Sequence, residues 1–241
     1  MGDVSTRPVL AGNRYALTGG VIYLLEWVAI IGTGVVGVSV TASTDAAAGE
    51  LLRSYTGHAD AVAFMAGWFS LCLLGRILFF IGIRSALADS GVRSSALMDF
   101  AVAAAAVSVT LEIAAYGLAT AAADLADSAD PTAMVLLDRA AGWVNMTIAG
   151  GLGVAIVVSA SLMWRSGLFS TPLNVLGVVS GVGICLAQLS ISPSMSTIFD
   201  ILGWFPLLFW VWMVWAGVVL WRRTPSRNSS RGAVVPVEQG A

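Results

Sequence analysis

Six long apolar stretches alternate with short polar connections along the chain, at about residues 15–40, 61–83, 96–123, 139–163, 172–190 and 200–221. Each is close to the roughly 20 helical residues needed to cross a hydrocarbon core about 30 Å thick. A single segment in lipid satisfies its own backbone hydrogen bonds only as a helix. The pattern therefore predicts an all-α, polytopic membrane bundle with six transmembrane helices.

The composition favours the same class of protein. Hydrophobic residues make up 58% of the chain and charged residues 11%, well below the roughly 25% charged share of soluble domains. The net charge of −2 and the lack of a basic stripe predict no nucleic-acid partner. We expect a multi-pass protein of the cell membrane whose main surroundings are the lipid bilayer.

Arginine placement predicts the orientation, because cytoplasmic loops retain positive charge during insertion. Nine arginines fall on one side of the six predicted spans, two on the other and one inside a span. Both termini are therefore expected in the cytoplasm. The predicted organisation is a cytoplasmic segment over residues 1–14, a transmembrane domain over 15–221 and a disordered cytoplasmic tail over 222–241. The first stretch is longer than a signal-peptide core and is expected to stay as an anchor.

Acidic side chains inside the apolar stretches are the first candidates for chemistry. Glu26 lies near the middle of the first stretch, Glu112 in the outer half of the third, and Asp200 at the start of the sixth. A central carboxyl costs about 2.5–3.5 kcal/mol on insertion scales, so it needs a partner or a function. These three residues are the predicted catalytic groups. Arg76 and Asp99, on adjacent helices, are candidates for a structural ion pair.

Aromatic and amide side chains accompany these acids at helical spacing. Aromatic faces stabilise cations, and amides orient ligands. The predicted substrate-binding residues are Tyr23, Trp27, Trp68, Tyr116, Asn145, Gln188, Trp204, Trp212 and Trp215. Interfacial tryptophan belts are the alternative for those near segment ends. For the deeper ones, a cavity lining and a plain core are equally compatible with the pattern.

Metal and cofactor sites are not predicted. Cys72 and Cys185 lie inside apolar stretches, and the single histidine, His58, lies in a polar loop. One histidine and scattered carboxylates do not make a zinc set. The acidic loop over residues 124–130 has the residue type that binds hard cations, but its predicted position on the outer side favours a solvated loop over a magnesium–diphosphate site.

A protonated carboxyl in an apolar enclosure is suited to donating its proton to a substrate. Beside aromatic faces, this suits acid-initiated chemistry on an apolar molecule, such as protonating an isoprenoid double bond and guiding the carbocation. The same groups suit a proton-coupled or lipophile-binding site equally well.

A motif between the fourth and fifth stretches carries a resemblance. The run Trp164-Arg-Ser-Gly-Leu-Phe169, with Pro172 and Gly177 after it, resembles an uncharacterised bacterial family of small polytopic membrane proteins. That resemblance implies topology without activity. Among characterised proteins, the size and the acidic, aromatic bundle resemble membrane terpene cyclases, both the drimentine-type indolic sesquiterpene cyclases and the fungal meroterpenoid cyclases. The fungal type has one span more than predicted here.

This second resemblance implies that two intramembrane acids handle the proton, with Glu26, Glu112 and Asp200 as the candidates. The leading hypothesis is a metal-independent terpene cyclase that acts on a prenylated substrate without a cofactor. The alternative is a non-enzymatic membrane protein that binds or carries a lipophilic ligand, or is a partner in a membrane complex.

Overall fold

The computed structural model describes residues 12–36, 47–92, 95–127, 131–191 and 204–223. All regular elements in these ranges are helical, which confirms the all-α prediction. They are α1 Gly12–Val36, α2 Ala48–Tyr55, α3 Ala59–Asp89, α4 Ser95–Ala126, α5 Pro131–Met146, α6 Ile148–Ser166, α7 Thr171–Ala187, a 3-10 turn Gln188–Ile191, and α8 Phe205–Arg222. Most of the predicted cytoplasmic segment and nearly all of the predicted tail lie outside the described residues.

Several helices have the length and composition of membrane spans. Within the described ranges, four stretches are long and apolar enough to cross a membrane: Ala59–Asp89, Ala96–Ala126, Thr132–Ser166 and Phe205–Arg222. The shorter Thr171–Ala187 is also apolar. On α3, Phe64 is 70% exposed and Leu71 66% exposed, and large apolar patches on an outer surface indicate contact with a membrane or a partner. These observations support a membrane protein, and the count of six spans stays a prediction.

The long helices pack as a closed ring. Helix α1 lies between α3 and α8, α3 packs on α4, and α4 packs on α5 and α6. The ring continues from α6 to α7 and from α7 back to α8. The inner faces of α1, α3, α4, α6, α7 and α8 surround one shared interior, and α3 also contacts α6.

Glycines bring α1 and α3 into direct backbone contact. A Cβ atom on Gly75 would lie 2.5 Å from the carbonyl oxygen of Gly19, and one on Gly82 would overlap the backbone of α1. Small residues of this kind permit the close helix packing that is common in membrane bundles. One turn beyond Gly19, the side chain of Tyr23 consequently reaches Arg76, the residue that follows Gly75.

Replacing Gly75 by alanine is expected to force α1 away from α3 and to lower the free energy of unfolding by about 1–3 kcal/mol, as overpacking does. Gly67→Ala is the matched control on the same helix, because a Cβ there would meet nothing within 4 Å. Thermal unfolding of both variants in detergent measures the difference. Equal melting temperatures for Gly75→Ala and the unchanged protein would contradict the close contact.

A short helix, α2, lies between the first two predicted spans, where the sequence pattern predicted only a polar connection. Helix α2 buries Leu51 and Tyr55 against α4 and α5. The Tyr55 hydroxyl donates to Oδ1 of the buried Asp138 at 2.6 Å. Burial raises the pKa of Tyr55 above its ordinary value, and so does the adjacent Asp138 carboxylate. Asp138 was not among the predicted site residues, because its hydrogen-bond donor is 83 residues away along the chain.

The fourth predicted span begins earlier than expected and is interrupted. It consists of α5 and α6, which meet at Thr147. The Thr147 hydroxyl donates to the carbonyl oxygen of Val144 at 2.7 Å, and the Thr147 amide donates to the same oxygen at 3.0 Å. Threonine hydroxyls that bond back to the preceding turn bend helices. The break lies between Asn145 and Ile148, which both line the interior.

The motif that carried the resemblance has a structural role. Gly167 ends α6 with a φ of 65°, a left-handed conformation that glycine adopts without strain. Pro172 lies in the first turn of α7, where a missing amide hydrogen costs nothing. A Cβ on Gly177 would overlap the indole of Trp212. The motif therefore sets the turn between α6 and α7 and the packing of α7 against α8.

Candidate functional site inside the bundle

A cavity of about 290 Å³ lies within the helical ring. Its size is near the lower end of the roughly 300–1,000 Å³ typical of small-molecule sites. Every long helix contributes to its wall, and the lining residues are Tyr23, Glu26, Trp27, Ile30, Arg76, Glu112, Ala115, Tyr116, Asn145, Ile148, Ala149, Leu152, Ile184, Pro206 and Trp210. The cavity thus brings together six of the residues predicted from the sequence.

Arg76 is the central cation of this site. It is 1% exposed, and its Nη1 lies 2.7 Å from Oε2 of Glu112. Its Nη1 also donates to Oγ of Ser108 at 3.1 Å, and its Nη2 donates to the Tyr23 hydroxyl at 2.9 Å. The guanidinium also lies over the Tyr23 ring, 4.6 Å from its centroid. Charge-assisted hydrogen bonds and a cation–π contact therefore fix its position.

The proposed pairing of Arg76 with Asp99 was wrong. Asp99 instead pairs with Arg84 near the end of α3, where both side chains are about half exposed. Helices α3 and α4 are antiparallel neighbours joined by a short connection, so residues at matching distances from that connection face each other. Asp99 lies close to the connection, as Arg84 does, whereas Arg76 lies deeper and faces Ser108 and Glu112.

The carboxyl groups of Glu26 and Glu112 both lie within hydrogen-bonding distance of the Tyr116 hydroxyl. Glu26 is 3% exposed, and its Oε1 accepts a hydrogen bond from the Tyr116 hydroxyl at 2.9 Å. The same hydroxyl lies 3.5 Å from Oε1 of Glu112. Glu112 and Tyr116 are four residues apart on α4 and so share a face. Tyr116 can therefore exchange a proton with either carboxyl group.

Tryptophans cover the side of the cavity next to Glu26. Trp27 from α1 and Trp210 from α8 contact each other with ring centroids 3.9 Å apart. Within the described ranges, the buried Nε1 of Trp27 has no hydrogen-bond acceptor, and neither does Nε of Arg76. Trp210 was not among the predicted substrate-binding residues, because its contact with Trp27 depends on how α8 packs against α1.

The other predicted substrate-binding residues do not line this cavity. The Trp68 Nε1 donates to the carbonyl oxygen of Leu25 at 3.2 Å near the outer surface. The Gln188 Oε1 accepts from the Gly150 amide at 2.8 Å and joins the 3-10 turn to α6. Trp204 is 69% exposed and Trp215 is 42% exposed. Trp212 is fully buried and packs against aromatic rings in the core, those of Phe79, Phe80 and Phe209.

The predicted acid Asp200 lies outside the described residues, and so does Asp130 of the acidic loop. Asp127 of that loop accepts from the Gly57 amide at 2.9 Å, which is a structural contact. In the part of the chain that the structure describes, no three histidine, cysteine, aspartate or glutamate side chains come together as a metal site.

The fold and the cavity define a helical membrane protein with two carboxyl groups, one arginine and an aromatic wall in its interior. No family model matches the sequence, and comparisons with curated proteins and with solved structures give no match. The similarity to terpene cyclases stays a prediction, and the chemistry of the cavity is the basis for inferring a function.

Proposed function

We propose that this protein is a six-span enzyme of the cell membrane, with both termini in the cytoplasm, that performs metal-independent acid–base chemistry on an unsaturated lipophile. Cyclisation of a prenylated substrate is the reaction that fits this chemistry. The observation that carries the proposal is that Glu26 and Glu112 line one aromatic-walled cavity and are joined through Tyr116.

The charges of the cavity favour different roles for the two acids. Arg76 supplies one positive charge, while Glu26 and Glu112 would supply two negative charges if both were ionised. An uncompensated buried charge is costly. Glu112 is in direct contact with Arg76, so it is the carboxylate, and Glu26 is the acid that carries a proton. Two carboxyl groups in different environments are typical of acid–base sites.

The reaction balances without an oxidant or a metal. The O–H proton of Glu26 goes to an alkene carbon of the substrate, and the alkene π electrons form the new C–H bond. The resulting carbocation is attacked by a second alkene, which closes a ring. Glu112 then removes a proton from a carbon beside the cation, and the electrons of that C–H bond form the product double bond. Substrate and product have the same mass.

Tyr116 would return Glu26 and Glu112 to their starting protonation states. After one turnover the proton is on Glu112 and missing from Glu26. The Tyr116 hydroxyl is within hydrogen-bonding distance of both carboxyl groups, so it can give a proton to Glu26 while it accepts one from Glu112. The faces of Trp27, Trp210 and Tyr116 provide the electron density that stabilises a cation in the cavity.

Incubating membranes that contain the protein with 3-farnesylindole tests this proposal. We expect a cyclised product of unchanged mass in ordinary water, formed without added metal and in the presence of a chelator. In deuterated water the product should gain deuterium at the protonated carbon, because a carboxyl proton exchanges with solvent. Membranes without the protein are the control. Absence of any isomer from this and other linear polyprenyl acceptors would contradict the enzymatic proposal.

A second candidate is a non-enzymatic carrier or binding protein for a lipophilic ligand. The contacts of Arg76 favour it, because the guanidinium ties Glu112, Ser108 and Tyr23 together as a structural ion-pair network would. Saturable binding of polyprenyl compounds with no product would support this candidate over the enzyme.

A further inference from the structure

The two ends of the helical bundle carry opposite charge. Within the described ranges, the end where α1 begins and where α3, α6 and α8 finish has five exposed arginines against two exposed aspartates. The other end has four exposed acids against two exposed arginines. We call the first of these the arginine end. Its arginines are Arg14, Arg84, Arg165, Arg222 and Arg223, and the acids of the other end are Glu50, Asp60, Asp124 and Asp127.

At one corner of the arginine end, the adjoining ends of α1 and α8 carry three arginines and an exposed indole. The two helices touch there, because a Cβ on Gly217 would lie 3.1 Å from the backbone of α1. One turn further along α8, the guanidinium of Arg14 lies over the ring of Trp221, 5.7 Å from the ring centroid. Arg222 and Arg223 follow Trp221 directly. In the part of the chain that the structure describes, these three arginines have no carboxylate partner.

An exposed apolar stripe runs from this corner along α8. Leu207, Val211, Val214 and Trp221 are 41%, 55%, 38% and 47% exposed, and their spacing places them on one face of the helix. Helix α8 is long and apolar enough to cross a membrane. Its outer face therefore offers an apolar surface along the membrane and cations at the end. A phospholipid presents its acyl chains and its phosphate in the same order.

We infer that the corner formed by Arg14, Trp221, Arg222 and Arg223 binds the headgroup of an anionic phospholipid, whose acyl chain lies along the stripe on α8. Arginine binds phosphate through charge-assisted and often bidentate hydrogen bonds. Tryptophan is enriched at headgroup level, because its ring is apolar and its N–H is polar. The inference requires that the protein spans a membrane, and it is independent of the enzymatic proposal.

The surplus of positive charge favours an anionic headgroup over a zwitterionic one. Each arginine near a membrane surface strengthens the attraction of acidic lipids by about fivefold. A phosphatidylcholine headgroup brings its own quaternary ammonium, which the unpaired arginines would repel. The arginine end is also the end proposed to face the cytoplasm, where the leaflet of a cell membrane has a negative surface potential. Phosphatidylglycerol, which has a phosphate and no cation, meets these conditions.

Thermal unfolding of the full chain in detergent micelles, titrated with dioleoylphosphatidylglycerol or dioleoylphosphatidylcholine, tests this inference. The two lipids have the same acyl chains, and the stabilisation at each lipid concentration gives a dissociation constant. We expect phosphatidylglycerol to bind at least about fivefold more tightly, which is the effect of one arginine. Raising the salt to about 1 M, where the Debye length is about 3 Å, should remove most of this difference.

Replacing Arg222 and Arg223 together by glutamine is expected to weaken phosphatidylglycerol binding about fivefold or more and to leave phosphatidylcholine binding unchanged. Arg53→Gln combined with Arg139→Gln is the matched control, because both arginines are exposed at the other end of the bundle. The control removes the same charge from the chain and should keep the preference for phosphatidylglycerol. If the first double variant does not fold, the lipid preference of the unchanged protein and its salt dependence decide the question.

Equal dissociation constants for the two lipids, an equal loss of phosphatidylglycerol binding in both double variants, or a preference unchanged by salt would each overturn the inference. Inorganic phosphate that stabilises the protein as much as phosphatidylglycerol does at the same concentration would also overturn it, because the corner would then recognise a free anion. A preference that is lost in Arg222→Gln with Arg223→Gln and kept in the control would establish the lipid site, whether or not the protein forms cyclised products.

Discussion

Replacing Glu26 by glutamine is expected to lower the rate of product formation by about 10²–10⁴-fold, the contribution typical of a general acid. The amide has nearly the same shape and can still accept the hydrogen bond from Tyr116, but it has no acidic proton to give. The rate of isomer formation from 3-farnesylindole, measured at equal amounts of folded protein, tests this. The expected loss follows from the charge balance that places the transferable proton on Glu26.

Glu50→Gln is the matched control for this variant, because Glu50 lies exposed on α2, away from the cavity. Its rate should equal that of the unchanged protein. Glu112→Gln should also slow the reaction, since the final proton would lose its acceptor. If Glu26→Gln retained the full rate, the assignment of Glu26 as the acid would be wrong.

Replacing Arg76 by methionine is expected to lower the free energy of unfolding by about 3–5 kcal/mol, because it leaves Glu112 as a buried charge without its cation. Adding Glu112→Gln to this variant should recover most of the loss, since a pair removed as a whole leaves no isolated charge. Unfolding by SDS titration in detergent is measured for the unchanged protein, Arg76→Met, Glu112→Gln and the double variant, and the coupling between the two substitutions follows from this cycle of four proteins.

Arg84→Met provides the control for Arg76→Met. Arg84 is the cation of the exposed pair with Asp99, and exposed pairs contribute about 0–1 kcal/mol. Arg84→Met should therefore change stability little. If Arg76→Met alone were as stable as the double variant, the Glu112 carboxylate would not be stabilised by Arg76. That result would contradict the ion pair in the cavity.

The helices could be predicted from the sequence because each long apolar stretch is a local signal. The acids Glu26 and Glu112 were also predictable, since a carboxyl inside an apolar stretch needs a reason. The partner of Arg76 was predicted wrongly, although the antiparallel register of α3 and α4 would have been enough to exclude Asp99. Counting outward from the turn pairs Arg84 with Asp99 and leaves Arg76 opposite Ser108.

The aromatic residues were harder to assign than the acids. A tryptophan has the same hydrophobic pattern in a core, a cavity wall or a membrane interface, and what distinguishes these places is the contact with other helices. Trp212 and Trp210 differ by two positions on α8 and so face different directions. Trp212 fills the core, and Trp210 lines the cavity. Short amphipathic α2 was missed because its partners, Asp138 and α4, are distant in sequence.

The glycine contact between α1 and α3 has a consequence for how a ligand exchanges with the bilayer. Where two backbones touch at Gly19 and Gly75, no side chains can rotate to open a passage between these helices. Helices α1 and α3, which carry Glu26 and Arg76, are therefore expected to stay in contact when a ligand enters or leaves. A lipid-borne molecule would therefore have to enter the cavity from another side, and the helix break at Thr147 lies next to the cavity, because Asn145 and Ile148 on either side of it line the wall.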